Sequence, residues 1–213
     1  TSAVALRGSS SSSSSSSFPP GPAAAAGPTT GPGSFSIYSE PIELRYGQVH
    51  NRMQGVLPLP ADVVARYANG SAAMAVSSFT TDIVRIAADG SETQVPLYEA
   101  YLHHYILNVG TSSGLGALRA AARADPALGS MKQGAALKRR RAAGQQLGEL
   151  GDGGGGNTVS FGGAAGGEYR HNPHEYQAPF RAIVYQPEAF MPTLHVINTL
   201  RSGGAERREK SAL

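Results

Sequence analysis

Two histidines stand side by side in the most strand-like run of the chain, VPLYEAYLHHYILNV at residues 95–109. An extended strand sends neighbouring side chains to opposite faces. One ring of the pair His103 and His104 is therefore expected to face the core, and the other to face outward. An imidazole without a partner inside an apolar strand is costly. His195 lies in a second apolar run, FMPTLHVINTL at 190–200. Three imidazoles from two strands are enough to hold a copper or zinc ion with an open coordination position. Both rings of the adjacent pair reach one ion only where the strand is bulged or twisted, or where it ends. The competing reading ties one histidine into a core hydrogen bond and leaves the other in solvent. From the residues alone both readings stand, and the second is the simpler.

The surroundings of these runs read as an all-β chain, an antiparallel sandwich. In PIELRYG, Ile42, Leu44 and Tyr46 alternate with Glu43 and Arg45, which predicts a half-buried strand. Pro58 and Pro60 argue against a central strand in the stretch that follows. Residues 61–67 predict a helical turn, with Gly70 as its stop. The run at 79–86 is rich in β-branched residues, and Asp89-Gly90 is a turn signal. Together they predict a hairpin, or two neighbouring antiparallel strands, over 78–109. A short strand at 182–185 and a last one at 190–200 complete the set, so the β domain is expected at 35–110 and 157–201.

Three segments stand outside that domain. Residues 1–34 hold nine consecutive serines at 9–17, followed by FPPGPAAAAGPTTGPG. So little apolar surface cannot offset the entropy of ordering, and a disordered, low-complexity arm is expected. Residues 111–156 form an insertion dominated by Gly, Ala and Arg, with transient helices expected at 116–124 and 131–147. A long surface loop of this kind costs little extra closure entropy. Residues 202–213 are a polar tail expected to fray. The chain opens on Thr1 and reads as a fragment of a longer protein.

The net charge of +3 is concentrated in the insertion. There Arg119, Arg123, Lys132, Lys138, Arg139, Arg140 and Arg141 face only Asp125, Glu149 and Asp152. The run Lys138–Arg141 offers a nucleic-acid patch as one reading and a solvated charge run as the plainer one. Nucleic acid is not the expected partner. No apolar run approaches the ~20 residues that a membrane span requires. The absence of cysteine excludes disulfides, thiolate metal sites and cysteine nucleophiles. No pair of carboxylates stands out, since Glu99 and Asp82 are isolated among apolar residues. GGAAGG at 162–167 lacks the Lys-Ser/Thr of a phosphate loop. Of the other histidines, His50 is assigned no role. His171 and His174 form a loop H-x-x-H that is a weak metal signal. Asn69-Gly-Ser71 is a glycosylation sequon.

The stretch MAVSSFTTDIVRIAADGSETQVPLYEAYLHHY at 74–105 resembles the stress up-regulated nodulin (SURNod) family of plants and algae. Phe79, Val84, Gly90, Val95, Pro96, Leu97, Glu99, Tyr101, Leu102, His103 and His104 carry the likeness. Tyr105 stands where that family usually has Trp. Glu168 and Arg170 fit a G-x-E-x-R segment, and 194–199 resembles a V-H-A-I-D-T segment. The likeness covers about half of the chain and leaves 111–156 unmatched. It implies a stress-associated protein on the secretory route, with no assigned reaction.

A more distant likeness is to the copper type II, ascorbate-dependent monooxygenases. These place a histidine pair in one strand, a glycine-rich connection, and a histidine in a later strand. That likeness implies an incomplete jelly-roll-like domain with one copper on His103, His104 and His195. The second copper site of those enzymes needs a His-x-His, which this chain lacks. Whether the chain is an enzyme stays open. The alternatives are a non-enzymatic structural or interaction module without metal, and a nucleic-acid binder acting through the basic insertion.

Overall fold

The computed structural model describes residues 2–9, 33–70, 72–143, 158–163 and 174–199. In chain order the elements are β1 (Ser2–Ser9), β2 (Ser34–Tyr38), β3 (Val49–Met53), β4 (Leu57–Pro58) and α1 (Ala61–Tyr67). Then come β5 (Ala73–Val76), β6 (Ser78–Ile86), β7 (Glu92–Gln94), β8 (Ala100–Gly110), α2 (Ser112–Ala124) and α3 (Gln133–Ala142). The last four are β9 (Thr158–Gly163), β10 (His174–Glu175), β11 (Ala182–Tyr185) and β12 (Ala189–Asn198).

Every strand pairing is antiparallel. One sheet runs β10-β6-β1-β2, with β7 also on β6. A second runs β3-β12-β8-β9, with β4 also on β12, and β11 pairs with β5 in a small third sheet. The main core lies between them. Phe35 and Ile37 of β2 and Phe79 and Ile83 of β6 meet Leu102, Tyr105 and Leu107 of β8 and Leu194 and Val196 of β12. The architecture is the all-β antiparallel sandwich expected from the strand patterns. No helix among the described residues is long and apolar enough to cross a membrane.

Several elements differ from expectation. Asp89-Gly90 does turn the chain, with Gly90 at φ 81°, but the hairpin it closes is β6–β7. The strand that follows crosses to the other sheet. Pro96 offers no N–H for a ladder, and its carbonyl accepts from Glu99 N in a turn that breaks the run before β8. The alternating stretch at 42–46 is not a strand. Its Ile42 is buried, but Arg45 N donates to Gln48 Oε1 and Leu44 O accepts from Asn198 Nδ2 in a loop around Gly47. The helical turn at Ala61–Tyr67 forms as expected, burying Val63 and Tyr67.

The expected disordered arm contains a strand. Backbone of Ser2–Ser9 pairs with β2 on one side and β6 on the other. Two facing strand edges present rows of unpaired N–H and C=O groups, and a passing segment satisfies both without needing an apolar composition. Residues 10–32 of the arm, the glycine tract and the tail at 202–213 lie outside the described residues.

The insertion is not a loose surface loop at 111–143. Thr111 caps α2, its Oγ1 accepting from Gly114 N at 3.1 Å. Leu115 and Leu118 are completely buried against Ala189 and Met191 of β12, beside Met53 and Val56. Two leucines three residues apart make a narrow stripe, easily hidden in an Ala/Gly/Arg background. The helix therefore covers one end of the outer face of the second sheet. Truncation to Leu118→Ala is expected to lose about 2–5 kcal/mol in a denaturant melt; an unchanged midpoint would show that α2 is only tethered.

Candidate metal centre

The second sheet decides where the histidines point. On β12, Phe190, Leu194 and Val196 face the core, while Ala189 and Met191 face α2. His195 follows the outward parity. On β8, Leu102 and Tyr105 both face the core although they are three residues apart. A regular strand cannot do this, because the side-chain period is two. The ladder explains it. His195 pairs with His104, Val196 pairs with Leu102, and the register shifts between them. His103 is the extra residue, so two residues of β8 stand opposite one step of β12. This β-bulge turns both rings of the adjacent pair to the outer face, where His195 already is.

The three rings then converge. His103 Nδ1 and His195 Nδ1 are 3.3 Å apart. Ring centroids are 4.0 Å apart for His103 and His104, 4.8 Å for His103 and His195, and 5.8 Å for His104 and His195. One nitrogen from each ring falls within a sphere of mutual distances no greater than 4.8 Å. All three side chains are half-buried. The group can hold a metal ion. Two nitrogens bound at ~2.0–2.1 Å to a tetrahedral ion lie about 3.3–3.4 Å apart, which matches the closest pair here. Without an ion the same contact is a ring-to-ring hydrogen bond, one Nδ1 donating and the other accepting.

Burial and the neighbouring rings favour the neutral forms of His104 and His195. Desolvation, then the neighbouring His103, lowers the pKa of His104. Desolvation, then His103 and His104, lowers that of His195. Neutral imidazole is the form that ligates a metal. Tyr101 lies on the same face, its ring centroid 5.2 Å from that of His103. Asn51 of the edge strand β3 pairs with His195. Its parity is that of Met53, which packs with Met191 on the outer face, and Asn51 is exposed. Directly opposed residues share a face with Cβ atoms about 4.5–5.5 Å apart. No sequence signal marked Asn51, because only the register of β3 brings it beside the trio.

The other histidines are elsewhere. His50 faces inward, and its Nε2 is buried without a partner among the described residues. Its pKa is lowered by burial, then by Arg52, against a weaker opposing effect of Glu40. His174 stacks on Phe79 at 4.6 Å between ring centroids, in the opposite sheet. His171 lies outside the described residues, so the H-x-x-H is represented by one member. The carboxylates that looked isolated have partners: Glu99 pairs with Arg85, and Asp82 Oδ2 accepts from Gln94 Nε2 at 3.0 Å.

Among the lysines and arginines of the insertion, Arg140 pairs with Asp125 at 3.6 Å, and Arg119, Arg123, Lys132, Lys138 and Arg139 are exposed. The fold and site together define an antiparallel β-sandwich bearing a three-histidine cluster on its outer face. No protein-family model, no curated protein and no solved structure matches this chain.

The lowered values at His50, His104 and His195 set the sign of the acid response. Above the ordinary value of 6.5 the rings are neutral both folded and unfolded, and the shifts contribute nothing to pH dependence. Below it the unfolded chain binds protons first, so stability falls with pH. The metal-free protein is expected to melt progressively earlier as pH drops from 7 toward about 5. A melting temperature constant over that window would contradict the burial assigned to these rings.

Proposed function

We propose that this chain is a metal-binding β module that holds one copper ion on His103, His104 and His195. The observation that carries the reading is the bulge, which brings two adjacent imidazoles and a third from the next strand to one point. An all-imidazole donor set suits copper and zinc better than magnesium or calcium, which take oxygen ligands. The choice of copper rests on the order of the histidines, shared with the copper type II monooxygenases. The SURNod likeness is part of the same reading and supports a stress-associated protein on the secretory route. Copper bound there supplies one-electron chemistry. The chain's own residues fix three nitrogens on a rigid ladder, favour the neutral forms of His104 and His195, and leave one side toward solvent.

A second reading follows from the 3.3 Å contact of the two Nδ1 atoms. It makes the trio a metal-free ring pair that locks β8 to β12 in a structural or interaction module. Titration with Cu(II), followed by calorimetry and electron spin resonance, separates the two. The copper reading expects one ion per chain, nitrogen hyperfine structure, and stabilisation of about 2.7 kcal/mol at free copper a hundredfold above Kd. That stabilisation is expected to vanish in His103→Ala and His195→Ala. Binding that survives both substitutions, or a melting temperature indifferent to copper, would overturn it in favour of the metal-free module.

A further inference from the structure

A divalent ion on this trio keeps its whole charge. The three donors are neutral imidazoles, and no fourth histidine or carboxylate joins the group among the described residues. Metal sites that need charge balance from the protein include an Asp, Glu or Cys ligand, and this chain has no cysteine at all. Glu99, the carboxylate nearest to the pair in sequence, lies in the turn before β8 and is tied to Arg85. The half-exposed rings lie on the outer face beyond the end that Leu115 and Leu118 of α2 cover. Among the described residues no carboxylate supplies that balance at the trio, which leaves the open side to an anion from solution.

Asn51 stands at the right place to receive it. It is exposed on the edge strand β3, opposite His195 in the ladder and on the same face as the three rings. A side-chain amide carries two N–H donors and no charge. It can donate to a small anion without repelling it, where a carboxylate at the same position would repel. From the neutral donor set, the open side and this cross-strand amide, we infer that the site takes a small inorganic anion as its fourth ligand. The anion sits on the metal, and Asn51 donates a hydrogen bond to it. Asn51 is the specificity-determining residue of that subsite. This inference rests on the copper reading and adds the class of the exogenous ligand and the residue that selects it.

Azide is the probe, because its binding to Cu(II) gives a charge-transfer absorption band. The full chain is loaded with one equivalent of Cu(II), metal binding is verified by spin resonance, and azide is titrated in. Saturable growth of the band with an altered spin-resonance spectrum is expected. Asn51→Asp is expected to retain copper and to bind azide about tenfold more weakly or worse, since like charge is placed beside the anion. Asn51→Ala, which removes only the donor, is expected to fall between the two. A copper-loaded protein whose spectrum ignores saturating azide would overturn the anion subsite while leaving the metal reading intact. Equal azide affinity in Asn51→Asp and the wild type would overturn the role of Asn51. Failure to bind copper at all would defeat both readings together.

Discussion

One extra residue in β8 determines what this sheet can present. Between Leu102 and Tyr105 the strand must keep two apolar side chains in the core. The two residues in between are accommodated only by a bulge, and both then face outward. Without the bulge, a shift of one residue would send one imidazole into the packed interior, where it lacks a partner. The convergence of His103, His104 and His195 is thus a consequence of core packing on the opposite face. Tyr105 and Leu194, each 1% exposed or less, hold the ladder from below, while the rings occupy the face above.

The rest of the fold supplies rigidity and access. β12 is flanked by β3 and β8, so His195 sits on a central strand whose backbone is paired on both sides. Asn108 reinforces the same ladder, its Nδ2 donating to Met191 O and its Oδ1 accepting from Ser160 Oγ. Farther along, α2 buries Met191 and Ala189 and closes that part of the outer face. The cover stops short of the histidines, which stay half-exposed. A site built this way is preorganised by strands and remains open to small solutes.

Much of this was legible in the residues. Alternation and β-branched runs located the strands at 78–86, 182–185 and 190–198, and the adjacent histidines posed the question that the bulge answers. What was hidden depended on non-local pairing. Nothing in YLHHY distinguishes a bulged strand from a regular one, since the choice is made by the register against β12. The partner of β8 was misread because Pro96 and the turn after it redirect a chain that composition alone would fold back on β6. The strand at Ser2–Ser9 escaped notice because its short apolar stretch, Ala3 to Leu6, is outweighed by the low-complexity serine run that follows it. Helix α2 was expected at 116–124 only as a transient helix, because its buried stripe is no more than Leu115 and Leu118. Asn51 carries no motif and acquires its position from the ladder alone.

The account stands on three imidazoles sharing one ion, two of them covalent neighbours. X-ray absorption at the metal edge of the copper-loaded chain counts those ligands directly. Outer-shell scattering from three imidazole rings, with first-shell nitrogens at ~2.0 Å, is the expected result. A spectrum that fits one or two rings would contradict it, and would return one of the neighbouring histidines to a purely structural place in the sheet.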